Sequence, residues 1–205
     1  MLPPRAIVDA SVLYSRHLRN ALVWHSLEGL FELRWSALIL DETRRSLIER
    51  NLDAYGEERT PAVDRVLERI TSALGSVCLD AEVPMEQIQS LAEQMTNHPK
   101  DRHVLAAAVA TGSRFVVTAN LKDFRPQDTR PHGVEALSPD AFLTKLLDDE
   151  HAIELCSAAL AHQADFHGWT LEQLLALLGQ PGEQRPAWLP RYVRRYEELT
   201  GTPSG

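Results

Sequence analysis

Four acidic side chains of this sequence stand where an apolar segment ends or begins. They are Asp9 after the run AIV, Glu42 in ALILDETRRS, Asp101 in HPKDRHVLAAAVATG and Asp123 in RFVVTANLKDF. Because ligands of open α/β sheets bind beyond the carboxyl ends of buried parallel strands, we expect these side chains to converge in one crevice. Carboxylates gathered there repel one another unless cations neutralise them, and hard divalent ions with oxygen ligands meet that need. The acidic set therefore predicts a Mg²⁺ or Mn²⁺ site able to activate water for phosphodiester hydrolysis.

Short β-branched runs separated by helical periodicity predict the elements that carry these acids. The expected strands are AIVD (6–9), FELRW (31–35), SVCLD (76–80), RFVVTA (114–119) and GVEAL (133–137). The helical patterns cover about 12–29, 38–52, 60–74, 85–96 and 100–111, and SPDAFLTKLL begins another helix with Ser138 as its N-cap and Pro139 in its first turn. This alternation is typical of an α/β fold with a central, mainly parallel sheet.

The strand signals stop after about residue 146. HAIELCSAALAHQADF, TLEQLLALL and PRYVRRYEEL are helical patterns, with a Pro/Gly-rich break before the last of them. We therefore expect a sheet domain over residues 1–145 and a helical C-terminal extension over residues 146–205.

Composition narrows the class of protein. The chain has 205 residues, 44% of them hydrophobic, which suffices for a substantial core, but its apolar runs are far shorter than the ~20 residues that a membrane span needs. The amino terminus lacks a secretory signal pattern, and the two cysteines have no metal-ligand spacing, so we expect a cytoplasmic protein without a membrane partner. The net charge of −8 argues against a surface built throughout to bind nucleic acid, but not against a nuclease with an acidic site.

The acidic motifs carry a family resemblance. IVDASVL, Glu42 and the block HPKDRHVLAAAVATGSRFVVTANLKDF resemble the motifs of PIN-domain nucleases, in particular the VapC-type toxins of bacterial toxin–antitoxin pairs, over roughly residues 5–145. The resemblance implies a PIN-like three-layer α/β/α fold. It also implies a Mg²⁺- or Mn²⁺-dependent endoribonuclease acting on structured RNA such as transfer RNA, a cognate antitoxin protein as partner, and a homodimer.

Carried over by position, the resemblance makes Asp9 the central metal ligand, with Ser11 supporting it through hydrogen bonds. Glu42 and Asp101 would complete a first metal site. After the strand, Thr118 and Asn120 stand where the common pattern is Thr-x-Asp, and Asp123 lies where a subset of the family places its acid. Asp123 is accordingly expected to be a ligand, with Thr118 and Asn120 as supporting residues.

Ordinary structural roles compete with each assignment. Asp9 is a favoured N-cap residue, Asp101 could serve the dipole of its helix, and Glu42 could pair with Arg44 or Arg45. Asn120 and Asp123 are common turn formers. We leave out His25, His98 and His103, because a lone histidine near a helix start is commonly a surface or capping residue and two-metal hydrolysis does not require one.

Arginines and aromatic residues alternate in RPAWLPRYVRRYEEL near the carboxyl end. Arg194 and Arg195 could contact RNA phosphates while the neighbouring aromatic rings stack on bases. The alternative is an amphipathic helix that docks its aromatic face on the main domain.

Two further functions are open at this stage. One is a catalytically inactive PIN-fold scaffold that binds RNA or protein, with Asn120 as part of the loss. The other is a phosphatase that uses Asp9 as a covalent nucleophile, although Ser11 stands where haloacid-dehalogenase-like enzymes carry a second Asp.

Overall fold

The computed structural model describes residues 2–55, 60–75, 85–149, 151–180 and 189–202. Within these ranges, one sheet contains β1 (Arg5–Val8), β2 (Glu32–Arg34), β3 (Phe115–Val117) and β4 (Glu135–Leu137). The strand order is β2-β1-β3-β4, and every neighbouring pair is parallel. The predicted parallel α/β sheet is thus confirmed, while the predicted strand at 76–80 lies outside the described residues.

The register of the two central strands positions the site. Val8 of β1 pairs with Val117 of β3, so the next residues, Asp9 and Thr118, leave the sheet side by side at its carboxyl edge. Ala6, Ile7 and Val8 are all fully buried, although successive strand residues point to opposite faces. Both faces of the sheet are therefore covered, as the three-layer α/β/α arrangement of a PIN-like fold requires.

Eleven α-helices surround the sheet in the described ranges. They are α1 (Ala10–Leu13), α2 (Arg16–Leu27), α3 (Ala37–Tyr55), α4 (Thr60–Gly75), α5 (Met85–Ala92), α6 (Arg102–Ala110), α7 (Pro126–Thr129), α8 (Pro139–Leu146), α9 (Ala152–His167), α10 (Leu171–Leu178) and α11 (Pro190–Thr200). Helix α6 presents small buried side chains to β1 and β3, which lets helix and sheet approach closely.

One predicted helix is interrupted. The pattern over 12–29 forms two helices, because Ser15 has an extended backbone (φ −76°, ψ 113°) and serves as the N-cap residue of α2. The Arg19 amide already donates to the Ser15 carbonyl at 2.8 Å, so the second helix begins there. The break separates the turn that follows Asp9 from the long helix α2.

The helices after residue 146 pack on the rest of the fold. Helix α9 packs on α2, and α11 packs on α8. Ser138 caps α8 as predicted, its hydroxyl accepting from the Ala141 amide at 3.2 Å. Buried residues from α9, α10 and α11 belong to the same apolar cluster as the sheet. The division of the chain at residues 145 and 146 stays a prediction.

Among the described residues, no helix combines the length and the apolar character that crossing a bilayer would require.

Candidate functional site

Asp9 is a buried carboxylate at the end of a central strand. It is 4% exposed, and its amide donates to the Val117 carbonyl at 3.0 Å, which fixes its backbone to β3. Although Asp9 occupies the N-cap position of α1, its side chain makes no capping hydrogen bond. The Asp9 carboxylate therefore does not cap helix α1, and the prediction that Asp9 serves only as an N-cap is wrong.

Two hydroxyl groups orient the Asp9 carboxylate. Ser11 Oγ donates to Asp9 Oδ2 at 2.6 Å, and Thr118 Oγ1 donates to the same oxygen at 2.7 Å. Each hydroxyl is itself fixed by the chain that leaves β3, since Ser11 Oγ accepts from the Ala119 amide and Thr118 Oγ1 from the Asn120 amide. This network leaves Asp9 Oδ1 without a hydrogen bond among the described residues, and hence available to a ligand.

Asp101 lies at the end of a short 3₁₀ turn, Pro99–Asp101, directly before α6. Its side chain is 18% exposed, makes no capping hydrogen bond, and lies 3.4 Å from His98 Nδ1. Burial raises the pKa of Asp101, and the nearby carboxylates of Asp9, Asp123 and Glu42 raise it further, while His98 opposes them. The region around Asp101 thus has an excess of negative charge.

Asp123 ends a second 3₁₀ turn, Leu121–Asp123, just after β3. Asn120 Nδ2 donates to Asp123 Oδ2, so Asn120 positions the acid that follows it by three residues. Ligand atoms of His98, Asp101 and Asp123 all lie within 4.8 Å of one another, which is compatible with one ion bound by all three. The two turns therefore converge, as the sequence predicts for the two acids.

Glu42 lies in the second turn of α3 and pairs with a histidine. Its Oε2 is 3.2 Å from His103 Nε2, whereas Arg44 pairs with Asp64 and Arg45 donates to the Asp41 carbonyl. The alternative that Glu42 serves only a surface pair with Arg44 or Arg45 is therefore wrong. Burial lowers the pKa of His103, but the carboxylate of Glu42 together with those of Asp9 and Asp101 outweighs it, so the pKa of His103 is raised overall.

Three of the four acids, Asp9, Glu42 and Asp101, line one cleft of about 340 Å³ at the carboxyl edge of the sheet, and Asp123 lies beside Asp101. Ser11 and Asn120 also line it, together with one positive charge, Arg45, and one further acid that the sequence analysis does not single out, Glu49. The structure thus brings together the acids that the sequence singles out. Their part in catalysis and metal binding stays a prediction that the geometry supports.

Two histidines that the sequence analysis sets aside lie at the site. His98 contacts Asp101, and His103 contacts Glu42, as described above. The available signal is their spacing, three residues before and two residues after Asp101. The contact of His98 with Asp101 is local, whereas the contact of His103 with Glu42 depends on how α3 packs beside α6. His25, in contrast, is fully buried in α2 and lies outside this cluster.

Arg194 and Arg195 lie on helix α11, which follows all four acids in the sequence. Tyr192 and Tyr196, which alternate with them, are 0% and 3% exposed and belong to the core. These two rings cannot stack on bases, in agreement with the docking alternative. Contact between RNA and Arg194 or Arg195 stays a prediction, although Arg195 already lies 3.5 Å from Glu198.

The donor set fits a hard divalent cation. Carboxylate oxygens and one imidazole nitrogen are ligands that Mg²⁺ or Mn²⁺ accepts, and a bound cation would offset the burial and the neighbouring carboxylates that raise the pKa of Asp101. Among the described residues, the ligand atoms close enough to share one ion are those of His98, Asp101 and Asp123, and the charge of Asp9 acts on Asp101 from nearby. The assignment of Asp9 and Glu42 as metal ligands stays a prediction.

A comparison with curated proteins finds a similar chain in Mycobacterium tuberculosis. This chain is 38% identical over 114 residues to the protein named "Putative ribonuclease VapC50", a match that covers 54% of this chain and 63% of that relative. No family model matches, and no solved structure matches. The chain thus spans less than two thirds of the length of this VapC-type relative, and the parallel sheet with the acidic cleft at its edge agrees with the similarity.

Proposed function

We propose that this chain is a Mg²⁺- or Mn²⁺-dependent endoribonuclease. The observation that carries the proposal is the Asp9 carboxylate, which two hydroxyls orient in the wall of a cleft that Glu42 and Asp101 also line. Gathering a buried carboxylate and two partly exposed ones in one cleft destabilises the fold, which is typical of a site whose function needs them. The name of the similar M. tuberculosis protein supports ribonuclease activity.

Each residue of the cleft has a definable part in the proposed reaction. Asp9, Asp101, Asp123 and Glu42 would hold the cation. When bound, the ion would supply the positive charge that makes a water more acidic and stabilises the departing oxygen. Ser11 and Thr118 keep Asp9 in one orientation, and Asn120 does the same for Asp123. The products would carry 5′-phosphate and 3′-hydroxyl ends.

The biological setting is part of the same proposal. An uncontrolled ribonuclease harms its own cell, so we propose that this chain is the toxin of a toxin–antitoxin pair whose partner is a cognate antitoxin protein. Structured RNA such as transfer RNA would be the substrate, the cytoplasm the compartment and a homodimer the active form. The family resemblance supports each of these points.

Cleavage of total transfer RNA by the purified chain tests the proposal. The assay compares Mg²⁺, Mn²⁺ and EDTA, and pairs Asp9→Asn with Asp41→Asn, which removes an exposed acid one residue before Glu42. We expect cleavage with either metal by the wild type and by Asp41→Asn, and none with EDTA or with Asp9→Asn. Equal cleavage by wild type and Asp9→Asn would contradict the assignment of the site.

A thermal-shift titration with Mg²⁺ separates the scaffold alternative from an unsuitable substrate. A ligand that binds only the folded state raises the unfolding midpoint. A wild-type chain that neither cleaves RNA nor gains stability from the metal would favour the inactive scaffold. If Mg²⁺ stabilises the chain but transfer RNA is not cleaved, the substrate is expected to be another RNA.

A further inference from the structure

A second cleft, of about 520 Å³, opens between α2, α4 and α9. Its polar and aromatic lining includes Tyr14, Arg16, Arg19, Asn20, Arg69 and Phe166. Three arginines, Arg16, Arg19 and Arg69, therefore line one concave surface in a chain whose net charge is −8. Such a local excess of positive charge against the overall balance indicates a site for an anion.

Arg19 is the least usual of the three arginines. It is only 7% exposed, one guanidinium nitrogen donates to the Leu13 carbonyl at 2.7 Å, and its Nε is buried without a partner. Burial and the neighbouring Arg16 lower the pKa of Arg19 to about 10, so it remains charged at neutral pH. A buried charge without a counter-ion is destabilising, and an anionic ligand would relieve that cost.

No acidic group offsets this charge in the part of the chain that the structure describes. The ion pairs found there involve other basic residues, and none includes Arg16, Arg19 or Arg69. Arg16 and Arg69 are exposed, so both guanidinium groups can reach a ligand without rearrangement of the core.

An aromatic surface borders the arginines. Phe166 is 64% exposed, and its ring centroid lies 6.0 Å from that of Trp24 and 5.1 Å from that of His167. His167 in turn stacks on Trp169 at 4.5 Å and lies 3.1 Å from Asn20 Nδ2. Arginines that contact phosphates beside an exposed ring that stacks on a base are the usual means of binding single-stranded nucleic acid.

The two clefts meet at one residue. Tyr14 lines both the basic cleft and the acidic cleft that contains Asp9. An RNA strand bound to the arginines would therefore continue past Tyr14 toward the acidic residues. We propose that the cleft of Arg16, Arg19, Arg69 and Phe166 binds the single-stranded RNA segment that leads into the acidic cleft. The assignment of RNA as the ligand rests on the proposed ribonuclease function.

Binding of a fluorescein-labelled 12-nucleotide single-stranded RNA to the full chain in EDTA tests this assignment. The variants are Arg16→Ala/Arg69→Ala, Phe166→Ala and, as a matched control, Arg130→Ala, which removes an exposed arginine from a cavity beside β4. We expect the double variant to bind about tenfold more weakly, with a salt slope about 1.4 smaller for two lost phosphate contacts. Phe166→Ala should weaken binding with an unchanged slope, and Arg130→Ala should match the wild type.

Unchanged affinity and slope in the double variant, or an equal loss in Arg130→Ala, would overturn the assignment. Preference for a polyglutamate peptide over the RNA would also overturn it and assign the cleft to an acidic protein. Thermal unfolding of every variant confirms that the exposed substitutions leave the fold intact. Because EDTA prevents metal-dependent cleavage, weakened binding in the arginine variants supports the cleft even if the wild type cleaves no RNA.

Discussion

Thr118 and Asp9 share a hydrogen bond of 2.7 Å although 109 residues separate them in the chain. The bond forms because Val8 and Val117 are paired in the sheet, so the next side chain of each strand reaches the same edge. Thr118 is fully buried, and its hydroxyl also accepts from the Asn120 amide. One threonine thus connects the acid of the first strand to the turn that carries the last acid.

Replacing Thr118 with valine removes that hydroxyl at almost constant volume. We expect the free energy of unfolding to fall by about 1–3 kcal/mol, because Asp9 loses a charge-assisted hydrogen bond and the Asn120 amide loses its acceptor. RNA cleavage should fall by about 10- to 100-fold, as for other groups that orient metal ligands. Urea unfolding and initial cleavage rates measure the two effects. Thr118→Ser, which keeps the hydroxyl, is the control and should recover most of both losses.

In the Asn120→Asp variant, the unfolding midpoint should depend more strongly on Mg²⁺ than in the wild type. In EDTA the new carboxylate faces Asp123 where an amide now donates to it, so like-charge repulsion should lower the unfolding midpoint. With Mg²⁺, the additional negative ligand should make the rise in midpoint larger than in the wild type. Thermal unfolding at several Mg²⁺ concentrations measures both. The control Asn120→Ala should be destabilised in EDTA without the larger response to metal, and the same response from both variants would count against the prediction.

Asp101→Asn should stabilise the metal-free chain and abolish its response to metal. The pKa of Asp101 is raised, so its charged form is less stable in the folded chain than in the unfolded one, and at neutral pH that charge lowers the free energy of unfolding. Removing it should raise the unfolding midpoint in EDTA. Differential scanning fluorimetry with EDTA and with Mg²⁺ measures the change. A lower midpoint in EDTA would show that Asp101 has a structural role instead.

His25 should make the fold sensitive to acid. Its Nδ1 donates to the Ala21 carbonyl at 2.7 Å, which leaves Nε2 to accept from the Tyr192 hydroxyl at 2.5 Å, and burial lowers the pKa of His25 to about 4. Between about pH 6.5 and 4 the unfolded chain binds the proton and the folded chain does not. The free energy of unfolding should therefore decrease as pH falls through this window, by up to about 1.4 kcal/mol per pH unit.

Urea unfolding at pH 7, 6 and 5 measures that slope for the wild type and for His25→Gln. The glutamine variant should lose the contribution of His25. Tyr192→Phe is the control, because it removes one hydrogen bond and keeps the titrating imidazole. If the slopes of the wild type and His25→Gln were identical, another group would be responsible for the acid sensitivity.

The sequence predicts the acids of this site better than their partners. Asp9 and Asp101 could be assigned because strand ends and helix starts follow from local hydrophobic patterns. The bond from Asn120 to Asp123 and the contact of His103 with Glu42 could not, since they depend on the path of a 3₁₀ turn and on the packing of two helices. The break at Ser15 was missed because the apolar periodicity of α1 continues into α2.

The residues of the basic cleft are even harder to predict from the sequence than the partners of the acids. Arg16 and Arg69 are 53 residues apart in sequence, and Phe166 lies 97 residues further on. These three residues share no short sequence motif. They form one surface only because α2, α4 and α9 pack together. The arginine-rich pattern at Arg194 and Arg195, which is visible in the sequence, instead belongs to a helix whose tyrosines are buried.

The contact between His25 and Tyr192 also bears on how this chain emerges from the ribosome. Tyr192 is synthesised 167 residues after His25. At about 5–20 residues per second, the interval between the synthesis of α2 and that of the helix that carries Tyr192 is on the order of ten seconds or more. The acids at the sheet edge also come from segments made early and late. A nascent chain therefore cannot bring all four acids together before Asp123 is made, and the proposed ribonuclease stays inactive until that point of its translation.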